Sequence, residues 1–174
     1  MAIMNFAIDT SGLHPSTTLG LSALTWLHGK TEFKNILDMG CGNGILSVAS
    51  AHLWQAKVLA VDISENAVRD TQIAVEEYHL TSQITVLRSD RFMHPQIKKS
   101  APYDLIIANQ LDQWLIEMVG DIRHCLKKGG YVVTSGLLDW LAEPTKQAYH
   151  ALGLEIQQEF SMPPWRACVI CDRL

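Results

Sequence analysis

The residues best suited to chemistry in this chain lie in one short run, Ile36-Leu37-Asp38-Met39-Gly40-Cys41-Gly42-Asn43-Gly44. Apolar residues lead into three glycines at alternate positions, and a helical pattern opens directly after them. Glycines there let the backbone turn sharply and approach a ligand with no Cβ in the way. The helix start behind them supplies unpaired N–H groups. Downstream, Val58-Leu59-Ala60-Val61 closes on Asp62, and a carboxylate at a strand end can accept hydrogen bonds from both hydroxyls of a ribose. Ser89-Asp90-Arg91-Phe92 follows a third apolar run, and Asn109 ends a fourth.

The elements that must position these groups alternate along the chain. Short apolar runs at Asn35–Met39, Lys57–Val61, Ile84–Leu87, Leu105–Ala108 and Tyr131–Thr134 read as strands. Helical patterns cover Ser16–Leu27, led by a Ser/Thr cap region, then Ile45–Leu53, Ser64–Tyr78 with Ser64 as N-cap, Leu115–Leu126 and Glu143–Leu152. Gly129-Gly130 is expected to end the fourth of these as a C-cap. Leu154–Phe160 and Ala167–Cys171 have only a Pro163-Pro164 turn between them, so they should pair antiparallel at one sheet edge. The expected fold is α/β, Rossmann-like and doubly wound: a mostly parallel seven-stranded sheet with an antiparallel C-terminal edge hairpin. Residues 1–174 are expected to form one domain, with 1–13 as a short lead.

The glycine spacing separates two cofactor classes. A dinucleotide turn reads Gly-x-Gly-x-x-Gly, which would put the third glycine at position 45, where this chain has Ile45. No hydride-transfer acid or base is evident either. Residues 37–44 instead resemble the first motif of the S-adenosylmethionine-dependent methyltransferases, Leu-Asp-x-Gly-Cys-Gly-x-Gly. The resemblance implies that Gly40, Cys41, Gly42 and Gly44 approach the methionine part of S-adenosyl-L-methionine and that Asp38 holds its amino group. It places the ribose on Asp62 and the adenine amino group on Asp90, with Arg91 beside it and Ile63 or Phe92 packed on the ring. The product would be S-adenosyl-L-homocysteine. Asn109 would stand where the methyl group is presented, and is the expected catalytic residue. Enzymes acting on amide or adenine nitrogens often carry Asn-Pro-Pro-Tyr here, but this chain has Asn109-Gln110-Leu111-Asp112, which argues against those acceptors.

Three further segments narrow the resemblance: His14-Pro15-Ser16-Thr17, Asp104 to Leu111, and Thr134-Ser135-Gly136-Leu137-Leu138. They are similar to segments of the bacterial lysine methyltransferases of a ribosomal stalk-base protein, large-subunit protein eleven, over nearly all of the chain from Ser11 onward. Carried over by position, Thr17 joins Gly40, Asp62 and Asn109 as a cofactor contact, and Asn109 also orients the target amine. Gln110 replaces an apolar residue of the family, and Ser16 one threonine of a pair. No counterpart of the family's N-terminal substrate-recognition domain is expected within residues 1–174. The expected reaction is in-line methyl transfer to a nitrogen of a protein acceptor; the alternatives are a small-molecule acceptor or a cofactor-binding module without turnover. His14 is the nearest candidate base, and Trp114 and Trp165 are candidate walls of an acceptor pocket.

Composition bounds the rest. With 174 residues, 48% of them hydrophobic and 18% charged, the chain can bury a substantial core. A net charge of −4, with no cationic run beyond Lys98-Lys99 and Lys127-Lys128, makes nucleic acid an unexpected partner. No stretch approaches the roughly 20 apolar residues of a membrane span. A cytoplasmic location is expected, and the oligomeric state is left open. Cys168 and Cys171 match a redox spacing, but residues three apart on a strand face opposite sides. They read as buried small hydrophobes, and no metal site is expected.

Overall fold

The computed structural model describes residues 12–173. Seven strands form one sheet: β1 (Asn35–Met39), β2 (Lys57–Asp62), β3 (Ile84–Arg88), β4 (Tyr103–Asn109), β5 (Leu126–Leu138), β6 (Leu154–Met162) and β7 (Trp165–Asp172). Their order is β3-β2-β1-β4-β5-β7-β6. The pairs among β1 to β5 are parallel, and β7 runs antiparallel to both β5 and β6. The terminal hairpin is therefore present, with β7 inserted between β5 and β6.

Among the described residues, six α-helices cover the sheet: α1 (Pro15–Leu27), α2 (Ile45–Trp54), α3 (Glu65–Glu77), α4 (Pro95–Ser100), α5 (Asp112–Cys125) and α6 (Ala142–His150). Central strands buried on both faces read as continuous apolar runs rather than alternating ones, which is why they stand out in the sequence. Their side chains nevertheless divide by pleat. Ile36, Leu105 and Ile107 pack with α1, α2 and α3, whereas Leu37, Ile106 and Ala108 pack with α4, α5 and α6. Two apolar layers sandwich the sheet, and four crossovers link its five parallel strands. The chain order reverses between β1 and β4, and this reversal opens a crevice at the carboxyl ends of the strands.

Three local expectations are corrected. The first helix is capped by His14, not by a Ser/Thr side chain: Pro15 fixes the first helical position, and His14 Nδ1 accepts the Ser16 N–H at 3.3 Å. Gly129-Gly130 does not cap α5. That helix ends at Cys125, and Leu126 turns extended to pair with Tyr103. The two glycines serve an irregularity inside β5, before Tyr131 resumes pairing with Leu105; a Cβ on Gly130 would come 2.8 Å from the Lys127 carbonyl oxygen. Helix α4, preceded by a 3-10 turn at Arg91–Met93, has no counterpart in the sequence reading.

All four cysteines are free, and burial pushes the Cys41 and Cys168 thiols up to about 12. Cys168 is fully buried while Cys171 is partly open, as opposite strand faces require. Since the thiolate is the reactive form, iodoacetamide at pH 8 should label Cys171 first and the other three only after denaturation. Peptide mapping by mass spectrometry reads this out; early labelling of Cys168 would show that the β5-β7-β6 edge opens in the native state.

Candidate functional site

The glycine turn lies where β1 leaves the sheet. The Gly40 and Cys41 N–H groups both donate to the Val61 carbonyl, at 2.7 and 3.0 Å, which ties the turn to β2. Gly44 has φ +81° and caps α2 from the left-handed region, a conformation costly for any residue with a Cβ. The Cys41 side chain is buried in the core, so only its backbone faces the site. Thr71, fully buried on α3, supports the turn by donating to the Gly42 carbonyl at 2.9 Å. Thr71 escaped the sequence reading, although its spacing to Val75 places it on the inward face of α3.

Asp38 is fully buried, and its Oδ2 accepts a hydrogen bond from the Ser47 hydroxyl on α2. The other oxygen, Oδ1, has no hydrogen-bond partner among the described residues. Burial raises its carboxyl to about 6, the Ser47 bond works against this, and the nearby charge of Asp62 adds to it. A buried carboxylate with an unmatched oxygen calls for a cation.

Asp62 ends β2. One oxygen accepts the Gly42 N–H at 3.0 Å and the other the Ser64 N–H at 2.9 Å. These bonds hold the carboxylate at the border of a cavity of about 230 Å³, lined also by Gly40, Ile63, Asp90, Arg91, Gln110 and Trp114. Asp90, Arg91 and Ile63 thus lie together with Asp62. Arg91 bridges Asp90 at 3.2 Å and Glu117 at 2.8 Å, and its guanidinium lies 5.3 Å from the Trp114 ring centre. Ser89 pins this loop, accepting the His94 N–H at 3.0 Å.

Phe92 is the exception. It is buried in the core among α4 and α5 residues and does not line the cavity, so Ile63 is the apolar group left for a ring. Trp114 stands at the Asp62–Arg91 end, away from Asn109's contacts.

The three segments that narrowed the family resemblance meet at the other end of the crevice. The Asn109 amide donates to Thr17 Oγ1 at 3.4 Å. The Ser135 hydroxyl donates to the Ser16 carbonyl, linking β5 to α1. Gly136, at φ +85°, lets β5 pass beneath the loop after β4; a Cβ there would come 2.7 Å from the Gln110 carbonyl oxygen and 3.2 Å from Asn109 Oδ1. His14 is occupied structurally: Nδ1 caps α1, and the ring packs edge-on against Trp165 with centres 4.7 Å apart. Among the described residues no group of three or more His, Cys, Asp or Glu could hold a metal ion.

The strand order and the glycine turn between β1 and α2 define the class: a domain of the Rossmann-like methyltransferase fold. The chain belongs to the ribosomal protein L11 methyltransferase (PrmA) family, whose model matches residues 6–173. Over 155 residues, 88% of this chain, it is 33% identical to a ribosomal protein L11 methyltransferase of Brucella suis, 54% of which is covered. The fold is similar to that of a ribosomal protein L11 methylase from Lactobacillus delbrueckii subsp. bulgaricus, with a TM-score of 0.83 over 94% of this chain and 81% of that one at 22% identity. It is also similar to the N-methyltransferase NodS of Bradyrhizobium japonicum solved with S-adenosyl-L-homocysteine, with a TM-score of 0.71 at 14% identity over 92% of this chain and 89% of that one. The chain spans about half the length of the curated relatives it matches.

Proposed function

We propose that this chain is a cytoplasmic methyltransferase that uses S-adenosyl-L-methionine to methylate an amine nitrogen of a ribosomal protein acceptor. The observation that carries the cofactor is the buried Asp38 with its unmatched oxygen. A methionine α-amino group supplies the cation this carboxylate lacks, and a dinucleotide brings none to that end of the site. Gly40 to Gly44 and Asp62 would hold the rest of the cofactor, and Ile63, Asp90 and Arg91, which line the cavity with Asp62, would receive its adenine. Family membership supports the protein acceptor. Among the described residues no helix is long and apolar enough to cross a membrane.

When bound, S-adenosyl-L-methionine supplies a methyl group on a sulfonium, a good leaving group. The chain's own work is then alignment and exclusion of water. Asn109 spends its amide N–H on Thr17, which leaves Oδ1 to accept an N–H of the incoming amine and aim its lone pair. Asp62, locked by two backbone N–H groups, holds the ribose.

Calorimetry with S-adenosyl-L-homocysteine tests this. The wild type should bind at micromolar concentration and NAD should not. Asp62→Ala should weaken binding about ten- to hundredfold, the cost of a hydrogen bond to a charged group. Labelled methyl donor with a bacterial ribosomal protein fraction should then label a lysine or N-terminal amine. No binding by folded wild type, or equal binding by Asp62→Ala, overturns the cofactor assignment.

A further inference from the structure

The crevice between β1 and β4 is bridged by one side chain. Met39 and Ala108 are register partners, so the chain leaves these neighbouring strands at Gly40 and at Asn109-Gln110. From there Gly40 leads into α2 on one face and Gln110 leads into α5 on the other. The Gln110 carboxamide crosses the gap and sits on Gly40: a Cβ built there would come 1.4 Å from Nε2 and 2.6 Å from Cδ.

The Gln110 backbone is anchored, its N–H donating to the Ser135 carbonyl at 2.9 Å and its own carbonyl lying close over Gly136. The carboxamide, in contrast, makes no hydrogen bond among the described residues. It is an unbonded group on an anchored base. The cavity it borders measures about 230 Å³. Small-molecule sites run about 300–1,000 Å³, so this one is short for a nucleoside joined to an amino acid. Gly40, where the carboxamide lies, lines the same cavity as Asp62.

We infer that Gln110 controls entry of the cofactor onto the glycine turn, occupying it in the free chain and swinging off it when the methionine part arrives. The inference rests on the S-adenosylmethionine reading above. A closed state in rapid exchange lowers apparent affinity by the fraction of molecules that are open. Removing the carboxamide removes that penalty, and the gain appears in the association rate.

The test is binding of S-adenosyl-L-homocysteine to wild type, Gln110→Ala and Gln110→Asn, by calorimetry and by stopped-flow tryptophan fluorescence, with thermal unfolding of each chain measured alongside. Gln110→Ala should bind about three- to tenfold tighter, through faster association. Gln110→Asn, one methylene shorter, should fall between, and serves as the test if the alanine variant does not fold. Affinity equal to or weaker than wild type in a folded variant overturns the gate while leaving the cofactor assignment intact. Failure of wild type and variants alike to bind overturns the assignment, and the gate with it.

Discussion

Gly44→Ala should cost the fold about 2–4 kcal/mol, because left-handed backbone costs a residue with a Cβ roughly 1–2 kcal/mol and the new methyl has nowhere to go. Gly44 has φ +81°, and its Cβ would come 2.9 Å from Thr71 Cγ2 and 3.1 Å from the Thr71 Cα. The second contact is with backbone of α3, so relief requires a helix to move away from the turn it supports. For a domain of this size the loss corresponds to a fall in Tm of about 4–16 °C. Gly120→Ala is the matched comparison. Gly120 lies exposed within α5, with nothing within 4 Å of its Cβ position, and alanine there should stabilise by about 0.5–1 kcal/mol. Thermal unfolding monitored by circular dichroism measures both. Equal effects from the two substitutions would mean that the turn adopts a right-handed conformation in solution.

Asp38→Asn should make the cofactor-free protein more stable at neutral pH while weakening its hold on the cofactor. Burial raises the folded carboxyl to about 6, against about 4 in an unfolded chain. The folded state therefore keeps a proton that the unfolded state releases between those values. The stability this contributes is complete below pH 4 and is lost as pH rises through about 6. The loss by pH 7 is of order 3 kcal/mol, taking 1.36 kcal/mol for each pH unit of the difference. Asparagine avoids the loss but cannot balance an ammonium group. Urea unfolding at pH 5 and pH 8 should show a wild type that weakens with pH and a variant that weakens much less. Saturating S-adenosyl-L-homocysteine should close the gap by stabilising wild type more than the variant. A variant less stable than wild type at pH 8 would show that the carboxylate finds its compensating charge within the apo chain.

Much of the architecture was legible because its signals are local. Leu105–Ala108 showed itself as a strand by its short, unbroken apolar run, and Asn35–Met39 by Ile36-Leu37 running into the glycine turn. Ser64 announced α3 correctly, its hydroxyl accepting the Ala67 N–H. Helix α4 carries no such signal: its six residues bury Ile97 while Gln96, Lys98 and Lys99 stay outside, so no apolar face repeats. Gly129-Gly130 misled because glycine serves a helix end and a strand irregularity equally well. Only the pairing of Leu126 with Tyr103 decides between them.

At the site, Asp38, Asp62 and the glycines showed themselves by backbone demands and charge that ordinary sequence cannot satisfy. The residues supporting them did not. Ser47, Thr71 and Ser135 are common residue types whose roles depend on partners 9, 29 and 119 positions away. Phe92 was misplaced because an aromatic beside a loop acid fits a ring-stacking role and a core role equally. Gln110 was visible only as a departure from an apolar position, and its reach across to Gly40 depends on two loops brought together by the reversal of strand order.

The insertion of β7 sets the order in which this protein can be completed on the ribosome. Strands β1 to β5 emerge in an order that lets each dock beside one already made, but β6 emerges before the strand that must separate it from β5. Until residues 165–172 leave the exit tunnel, β5 shows an open hydrogen-bonding edge and β6 has no place in the sheet. Nascent chains paused in that window present the open edge of β5 and an unpaired β6, the surface on which chaperones and aggregation compete.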